Sequence, residues 1–364
     1  MKIGQKLLVG AVALTLVPLA LTAGLLWQGA TSLSGQTVDA QVQLQLSALR
    51  DQKTQQLKDE IEYRMAALRT LGAQQGTVEA MARFKTAFAG AAAEAGKTDD
   101  PVGHRKAMLE YVDAQFGPEF VNRNPNKAPE LGALVDARDA NTVRLQADYI
   151  TTNPNKLGEK EKLVAAPGAL SYHAQHARFH PAFEKAQKQF GFYDIFLIDT
   201  QTDQIVYTVF KELDFGTKLT DGIAAKSKLA EAYYRVKNAK SKDDLHLTDF
   251  EPYLPSYYDQ AAFAAVPVFD GERQIGVIAM QYPIDKITAT INSNQTWDKI
   301  GLGASGDAYI VGADKMLRTN VRDVLTGKPQ FIAGMGDRVA PATKALIDKK
   351  SSSIGVVNAD SQAV

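Results

Sequence analysis

The sequence predicts an α+β protein in which long N-terminal helices are followed by an antiparallel five-stranded sheet. Three observations predict it. Apolar residues recur at steps of three and four through residues 38–71, 77–115 and 169–190. The step changes to two between residues 193 and 283. An uncharged apolar run at residues 7–27 precedes both. A period near 3.6 marks one buried face of a helix, and a period of two marks a half-buried strand.

The apolar run comes first in the chain. No charge occurs from residue 7 to residue 38, whereas Lys2 and Lys6 stand just before it. About 20 apolar residues span a bilayer, so residues 1–30 read as a cytoplasmic tip and one transmembrane helix. The lysines place the N-terminus in the cytoplasm and the bulk of the chain outside the inner (plasma) membrane. Trp27 sits where an interface anchor belongs, and membrane helices accept a proline such as Pro18. A cleaved signal peptide would have an apolar core of about 7–15 residues and a small-residue cleavage site. Here the core is longer, and Leu21 spoils the best pair, Leu21/Ala23.

Residues 31–190 read as a stalk and a helical region. Val38, Val42, Leu46, Leu49, Leu57, Ile61, Met65, Leu68 and Leu71 share one helical face. Such a stripe pairs with a second copy, giving a homodimer, or packs against its own sheet. Helix is expected over 77–115 with a solvated break at 96–103. Residues 117–168 are rich in Pro, Asn and Gly and read as loop, with a short helix near 141–150. Residues 191–284 read as the sheet module. Its strands are 193–199, 204–210, 246–250, 261–269 and 274–283. Turns fall at 199–203 and 270–272, where Asp270-Gly271 is a strong hairpin signal. A helix over 224–239 follows the second strand, and the whole makes a PAS-like half-open sheet. Residues 285–300 read as a linker helix. Residues 301–364 start a second module in which 307–320 echoes the first strand–turn–strand. The chain stops before a second sheet closes, so a longer protein is expected.

Composition excludes several classes. Forty-one basic residues balance 41 acidic ones, leaving no electrostatic footprint for nucleic acid. Without cysteine there are no disulfides, thiol nucleophiles or cysteine-held metals. Gly301, Gly303 and Gly306 match a dinucleotide fingerprint in letters, but a helix precedes them and a strand follows, the reverse of the required order. No nucleophile–base set, P-loop or zinc-protease motif occurs, so no enzyme activity and no cofactor are expected.

Residues 49–61 (LRDQKTQQLKDEI), 190–219, 250–287 and 301–319 (GLGASGDAYIVGADKMLRT) resemble the double Cache sensor region of bacterial methyl-accepting chemotaxis receptors. The resemblance spans nearly all of the chain beyond the apolar run. It implies a membrane-distal Cache module that binds a small-molecule ligand, and a membrane-proximal one whose beginning is residues 301–364. It also implies a second membrane helix, a HAMP linker and a signalling coiled coil further on. The same ectodomains feed histidine kinases and nucleotide cyclases. The Arg and Trp of the best-known amino-acid motif of these domains do not stand between the helix and the sheet.

In a Cache-like sheet the ligand lies between the concave face and the loops above it. That placement selects Tyr207, Phe210, Tyr257, Tyr258, Phe263 and Gln281, with Asp194, Lys211 and Asp259 as charged partners. Alternate aromatics on strands equally suit a core. The run Tyr253 to Asp259 is the better signal, because a tyrosine-dense loop is unfavourable in water without a purpose. His173, His176 and His180 share one helix face and are candidate metal ligands, although three on one helix do not readily reach one ion. The alternative is packing of that helix on the sheet, or exposure to water.

Overall fold

The computed structural model describes the backbone of residues 3–96, 99–125, 127, 138–282, 284–304, 306–312 and 315–325. Side chains are described from residue 37 onward within these segments, apart from 39, 284, 323 and 324. The chain divides into two compact units, Met1–Gln56 with Ala340–Val364, and Leu57–Val339.

Helix α1 covers Ile3–Ala73. The side chains of the apolar run at 7–27 lie outside the described residues. Among the described residues no helix is long and apolar enough to cross a membrane. Within the first unit, Val38 and Val42 are 55% and 44% exposed. Within the second, Met65, Leu68 and Leu71 are buried. The apolar stripe is therefore packed only in its C-terminal part.

In the second unit, α2 (Gln75–Ala95) buries Val78, Met81, Phe84, Phe88 and Ala91, a regular three–four spacing. Helix α3 (Pro101–Tyr111) starts where the Asp100 carboxylate accepts the Gly103 N–H at 2.9 Å, with proline in the first turn. It continues through a π turn (Val112–Phe116) into α4 (Gly117–Arg123). Residues 117–123 were expected as loop because of Gly117 and Pro118. Pro118 is tolerated because it follows directly on the π turn, where the regular helical ladder is already interrupted. Helix α5 (Ala140–Gln146) is capped by Asp139 and also runs into a π turn, Ala147–Thr151. Helix α6 (Ser171–Phe190) ends at Gly191, whose φ of 66° suits a residue without Cβ.

The sheet is antiparallel throughout. Its strands are β1 (Asp194–Asp199), β2 (Ile205–Thr208), β3 (His246–Leu247), β6 (Phe263–Asp270) and β7 (Arg273–Gln281), in the order β2-β1-β7-β6-β3. The β6–β7 hairpin closes at Asp270 opposite Arg273, with Gly271 at φ 61°. Every residue of β1 is buried, because both faces are covered. Ile195 and Leu197 join the large core with α2 and α6, while Phe196 and Ile198 join a smaller core with α7 (Lys228–Val236). Helix α7 is shorter than the expected 224–239, and Ser227 caps its start.

A second, two-stranded sheet was not expected: β4 (Glu251–Tyr253) pairs with β5 (Asp259–Ala261) around the tyrosine run. Helix α8 (Ile284–Ile291) and a 3-10 turn (Trp297–Ile300) occupy the expected linker. Gly301 and Gly303 have φ of 83° and 60°, as tight turn glycines do. Among the described residues, the strand–turn–strand expected over 307–320 is represented by the bridge Val311 to Leu317, followed by α9 (Arg322–Leu325). The remainder of the expected second module, 326–364, lies outside the described residues.

Candidate functional site

A cavity of about 420 Å³ lies where four segments converge. Tyr111, Phe116, Glu119 and Arg123 come from α3, the π turn and α4; Leu157, Gly158 and Lys160 come from the loop after α5. Residues 210–213 follow β2, and Pro255, Tyr257 and Asp259 belong to the β4–β5 turn. Tyr193 and Asp285 complete the wall.

Buried polar bonds hold the loop after β2. Asp194 is fully buried at the start of β1, and its Oδ1 accepts the N–H groups of Ile195, Val209 and Phe210 at 2.6, 2.9 and 3.0 Å. That triple bond turns the chain so that Phe210 stacks on Tyr193, ring centres 4.9 Å apart. Lys211 then adopts a φ of 62°, unusual for a residue with a Cβ. Its ammonium donates to the carbonyls of Thr208 and Val209 and lies 4.5 Å from the Tyr207 ring centre.

The tyrosine run forms the opposite wall. Tyr257 and Tyr258 both have positive φ, 59° and 62°, a strained setting for bulky residues. Packing holds them there. Tyr257 stacks on Phe116 at 4.7 Å, and the Asn124 side-chain amide donates to the Tyr257 carbonyl at 2.7 Å. Arg123 clamps the same turn: its guanidinium covers the Tyr257 ring at 4.6 Å and donates to Asp259 at 2.8 Å and Glu119 at 2.7 Å.

Three carboxyl groups crowd one corner. Glu212 accepts hydroxyl bonds from Tyr193 (3.0 Å) and Ser256 (2.7 Å), and the Tyr253 hydroxyl donates to Asp214. Among the described residues, Asp194 Oδ2 and Asp214 Oδ1 have no hydrogen-bond partner. Burial first, then the Asp214 charge, holds the Asp194 and Glu212 carboxyls above the usual carboxylate range, and burial raises Asp214 likewise. Burial pushes the Lys211 ammonium down.

These directions fix a sign. A carboxyl with a raised folded pKa binds its proton more tightly in the fold than in the unfolded chain. Its contribution is full below about pH 4 and is lost as pH rises through the folded value. Asp194→Asn keeps an oxygen for the three amides and cannot ionise. Its stability relative to wild type is expected to rise between about pH 5 and pH 8, with a slope of at most about 1.4 kcal/mol per pH unit. Urea unfolding at several pH values measures it. A difference that stays level with pH would show that the buried carboxyl ionises as it does in water.

The three histidines lie in the core between α6 and the sheet. His180 bonds the Tyr207 hydroxyl at 2.7 Å and the Glu161 carbonyl at 2.6 Å, so both ring nitrogens are engaged. His176 bonds the Val164 carbonyl at 2.6 Å, and His173 bonds the Tyr149 hydroxyl at 3.1 Å. Burial holds all three imidazoles below their usual range, His173 at about 4. Among the described residues no three His, Cys, Asp or Glu side chains are placed to hold a metal ion. The packing alternative describes what these histidines do: three–four spacing put them on one face, and that face is the core.

The residues selected from sequence divide into three groups. Phe210, Lys211, Tyr257 and Asp259 line the cavity. Asp194, Tyr207 and Gln281 lie behind the wall; Gln281 donates to Ser256 Oγ at 3.2 Å, and Tyr207 packs on Phe84. Tyr258 sits beside it, edge-on to Phe120. Phe263 is a correction: it packs against Tyr253 and Phe196 in the smaller core, on the sheet's other face. The two-sided burial of the sheet hides the face assignment from a period of two. Tyr111, Phe116, Arg123, Lys160, Tyr193 and Glu212 were not selected. Four of them come from segments far from the strands in sequence, and no local signal links those segments to the sheet.

No family model matches the chain, and no curated protein matches it. Solved structures do. One is the sensor domain of the V. cholerae histidine kinase DctB, with 18% identity and a TM-score of 0.24 over 32% of this chain and 41% of that one. This chain thus spans less than half of that structure. The ligand-binding domain of the Pseudomonas fluorescens chemoreceptor CtaA, in complex with L-serine, has 13% identity and a TM-score of 0.26 over 58% of this chain and 72% of that one. The sensory domain of the Campylobacter jejuni chemoreceptor Tlp3 (CcmL) has 8% identity and a TM-score of 0.30 over 73% and 83%. Likenesses at these scores carry no functional conclusion.

Proposed function

We propose that this chain is the ligand-sensing region of a transmembrane chemoreceptor. Residues 1–30 anchor it in the inner membrane, and the remainder lies outside the cytoplasm. The single observation that carries the reading is the cavity of about 420 Å³ walled by aromatic rings and charged side chains. Its size and lining suit a small solute. It sits where helices, strained turns and the sheet meet, so an occupant contacts segments from 111 to 285 at once. A ligand that favours one arrangement of these segments shifts the helix–sheet packing by its differential affinity. Helix α1 belongs to that packing through Met65, Leu68 and Leu71, and it carries the shift toward the membrane. The exposed stripe at Val38 and Val42 pairs two copies as a homodimer. Output runs through a methyl-accepting signalling domain, with a histidine kinase or nucleotide cyclase as the alternative output.

Thermal melting of the full chain against a broad panel of small metabolites tests the sensing step. At a concentration of 100 Kd, a specific ligand adds about 2.7 kcal/mol of stability, which a melting scan resolves. At least one compound is expected to raise the melting temperature, and Tyr257→Ala is expected to abolish the rise. A flat response across the whole panel would count against direct sensing.

A further inference from the structure

Three carboxyl groups meet at one corner of the cavity, and among the described residues no cation bonds any of them. Asp194 and Asp214 have no exposed surface, whereas Glu212 keeps some and lines the cavity. Glu212 accepts two uncharged hydroxyls, Tyr193 at 3.0 Å on Oε1 and Ser256 at 2.7 Å on Oε2. A carboxylate oxygen has two acceptor sites, so one stays open on each. Behind Glu212, Asp194 Oδ2 and Asp214 Oδ1 are buried without a hydrogen-bond partner among the described residues. Burial first, then the like charges of Asp214 and Asp194, holds Glu212 above the usual carboxylate range.

The cations of the wall are directed at other groups. Lys211 donates to the Thr208 and Val209 carbonyls, lies over the Tyr207 ring, and acts through space on Asp194 and Glu161. Lys160 donates to the Ile150 carbonyl at 2.7 Å and lies over the Tyr111 ring. Arg123 is held by Glu119 and Asp259. Glu212 instead faces the other segments of the wall. Burial and then the Glu212 charge raise the Tyr111 hydroxyl of α3. Burial, then Tyr111 and Glu212, raise the Tyr257 hydroxyl of the β4–β5 turn. Buried charges are ordinarily paired, and the partner this corner lacks is positive.

We infer that the cavity takes a protonated primary amine on a small apolar body, with the ammonium group bonded to the open acceptor sites of Glu212 and the body against Phe116, Leu157, Phe210 and Leu213. The inference rests on the sensor reading and names its ligand class. An ammonium group supplies both N–H donors and the missing charge. An alcohol of the same shape supplies a donor without the charge. A carboxylate would meet Glu212 as a third like charge beside Asp194 and Asp214, and Lys160 is the group that would have to hold it.

Calorimetric titration of the full chain tests it with butylamine and phenethylamine, the matching alcohols butanol and phenethyl alcohol, and the acids butyrate and phenylacetate. The amines are expected to bind at least tenfold more tightly than the alcohols and the acids, as a charge-assisted bond implies. Glu212→Gln keeps the size of the side chain and an acceptor oxygen but removes the charge. It should weaken both amines at least tenfold and leave the alcohols unchanged. Melting of the variant without ligand controls for folding. If it does not fold, the ranking of the wild-type titrations carries the test alone. Alcohols binding as tightly as the amines would overturn the ammonium assignment and leave the sensor reading intact. So would acids binding more tightly than the amines. A folded Glu212→Gln variant with undiminished amine affinity would overturn the role of that carboxylate. If none of these probes binds while another metabolite raises the melting temperature, the ligand class is wrong and sensing stands. If nothing in either experiment binds, both readings fail.

Discussion

Phe84→Ala is expected to destabilise the second unit by about 3–5 kcal/mol, the range for removing a buried phenyl ring. Phe84 has no exposed surface and is the point where three elements meet. It leaves α2 and stacks on Tyr207 of β2 with ring centres 4.7 Å apart, and it touches Tyr172 and Phe179 of α6 at 5.3 and 6.0 Å. Aromatic pairs add about 0.5–1.5 kcal/mol beyond buried area, so the upper part of the range applies. Tyr207 also bonds His180 at 2.7 Å, and its ring lies under the Lys211 ammonium. Loss of the Phe84 ring should therefore loosen the floor of the cavity as well as the core. Urea unfolding followed by circular dichroism measures the change. A loss below about 1 kcal/mol would mean that the neighbouring rings collapse into the space, which their mutual packing argues against.

The second large effect concerns a close approach. Gly72, one residue from the end of α1, faces β6 and β7 so closely that a Cβ would stand 2.7 Å from Val266 Cγ2 and 3.1 Å from Ile278 Cγ2. Both neighbours are β-branched side chains in the sheet and have little freedom to move aside. Gly72→Leu is expected to cost about 1–3 kcal/mol by overpacking, despite the better helix propensity of leucine. Gly76, four residues on, is the control. Nothing lies within 4 Å of its added Cβ. Gly76→Ala should be neutral or stabilise by about 0.4–1 kcal/mol. Equal melting temperatures for Gly72→Leu and Gly76→Ala would show that α1 does not press on the sheet there. They would also remove the route by which cavity occupancy reaches that helix.

The five strands were legible as short apolar runs bounded by turn residues, although both faces of the sheet are buried, and the Asp270-Gly271 turn because few residues tolerate its dihedral angles. Helices α2 and α6 were legible from their three–four spacing. Helix α4 was not, since Gly117 and Pro118 read locally as breakers and only packing of Phe116 and Phe120 reveals the turn they start. The histidine face had two meanings in sequence, and spacing alone cannot separate a ligand face from a core face. Phe263 shows the same limit on a strand, where alternation gives two faces without saying which one the cavity occupies.

By itself, then, the sequence determined the α+β class, the strand set, the apolar N-terminal run and the tyrosine loop as a site of interest. Each rests on interactions among near neighbours along the chain. The tertiary structure decided which aromatics wall the cavity, that Arg123 reaches Asp259, and that His173, His176 and His180 pack in the core. Those properties join residues separated by tens to more than a hundred positions. Pairing and burial at such range depend on how elements pack, and no local pattern records them.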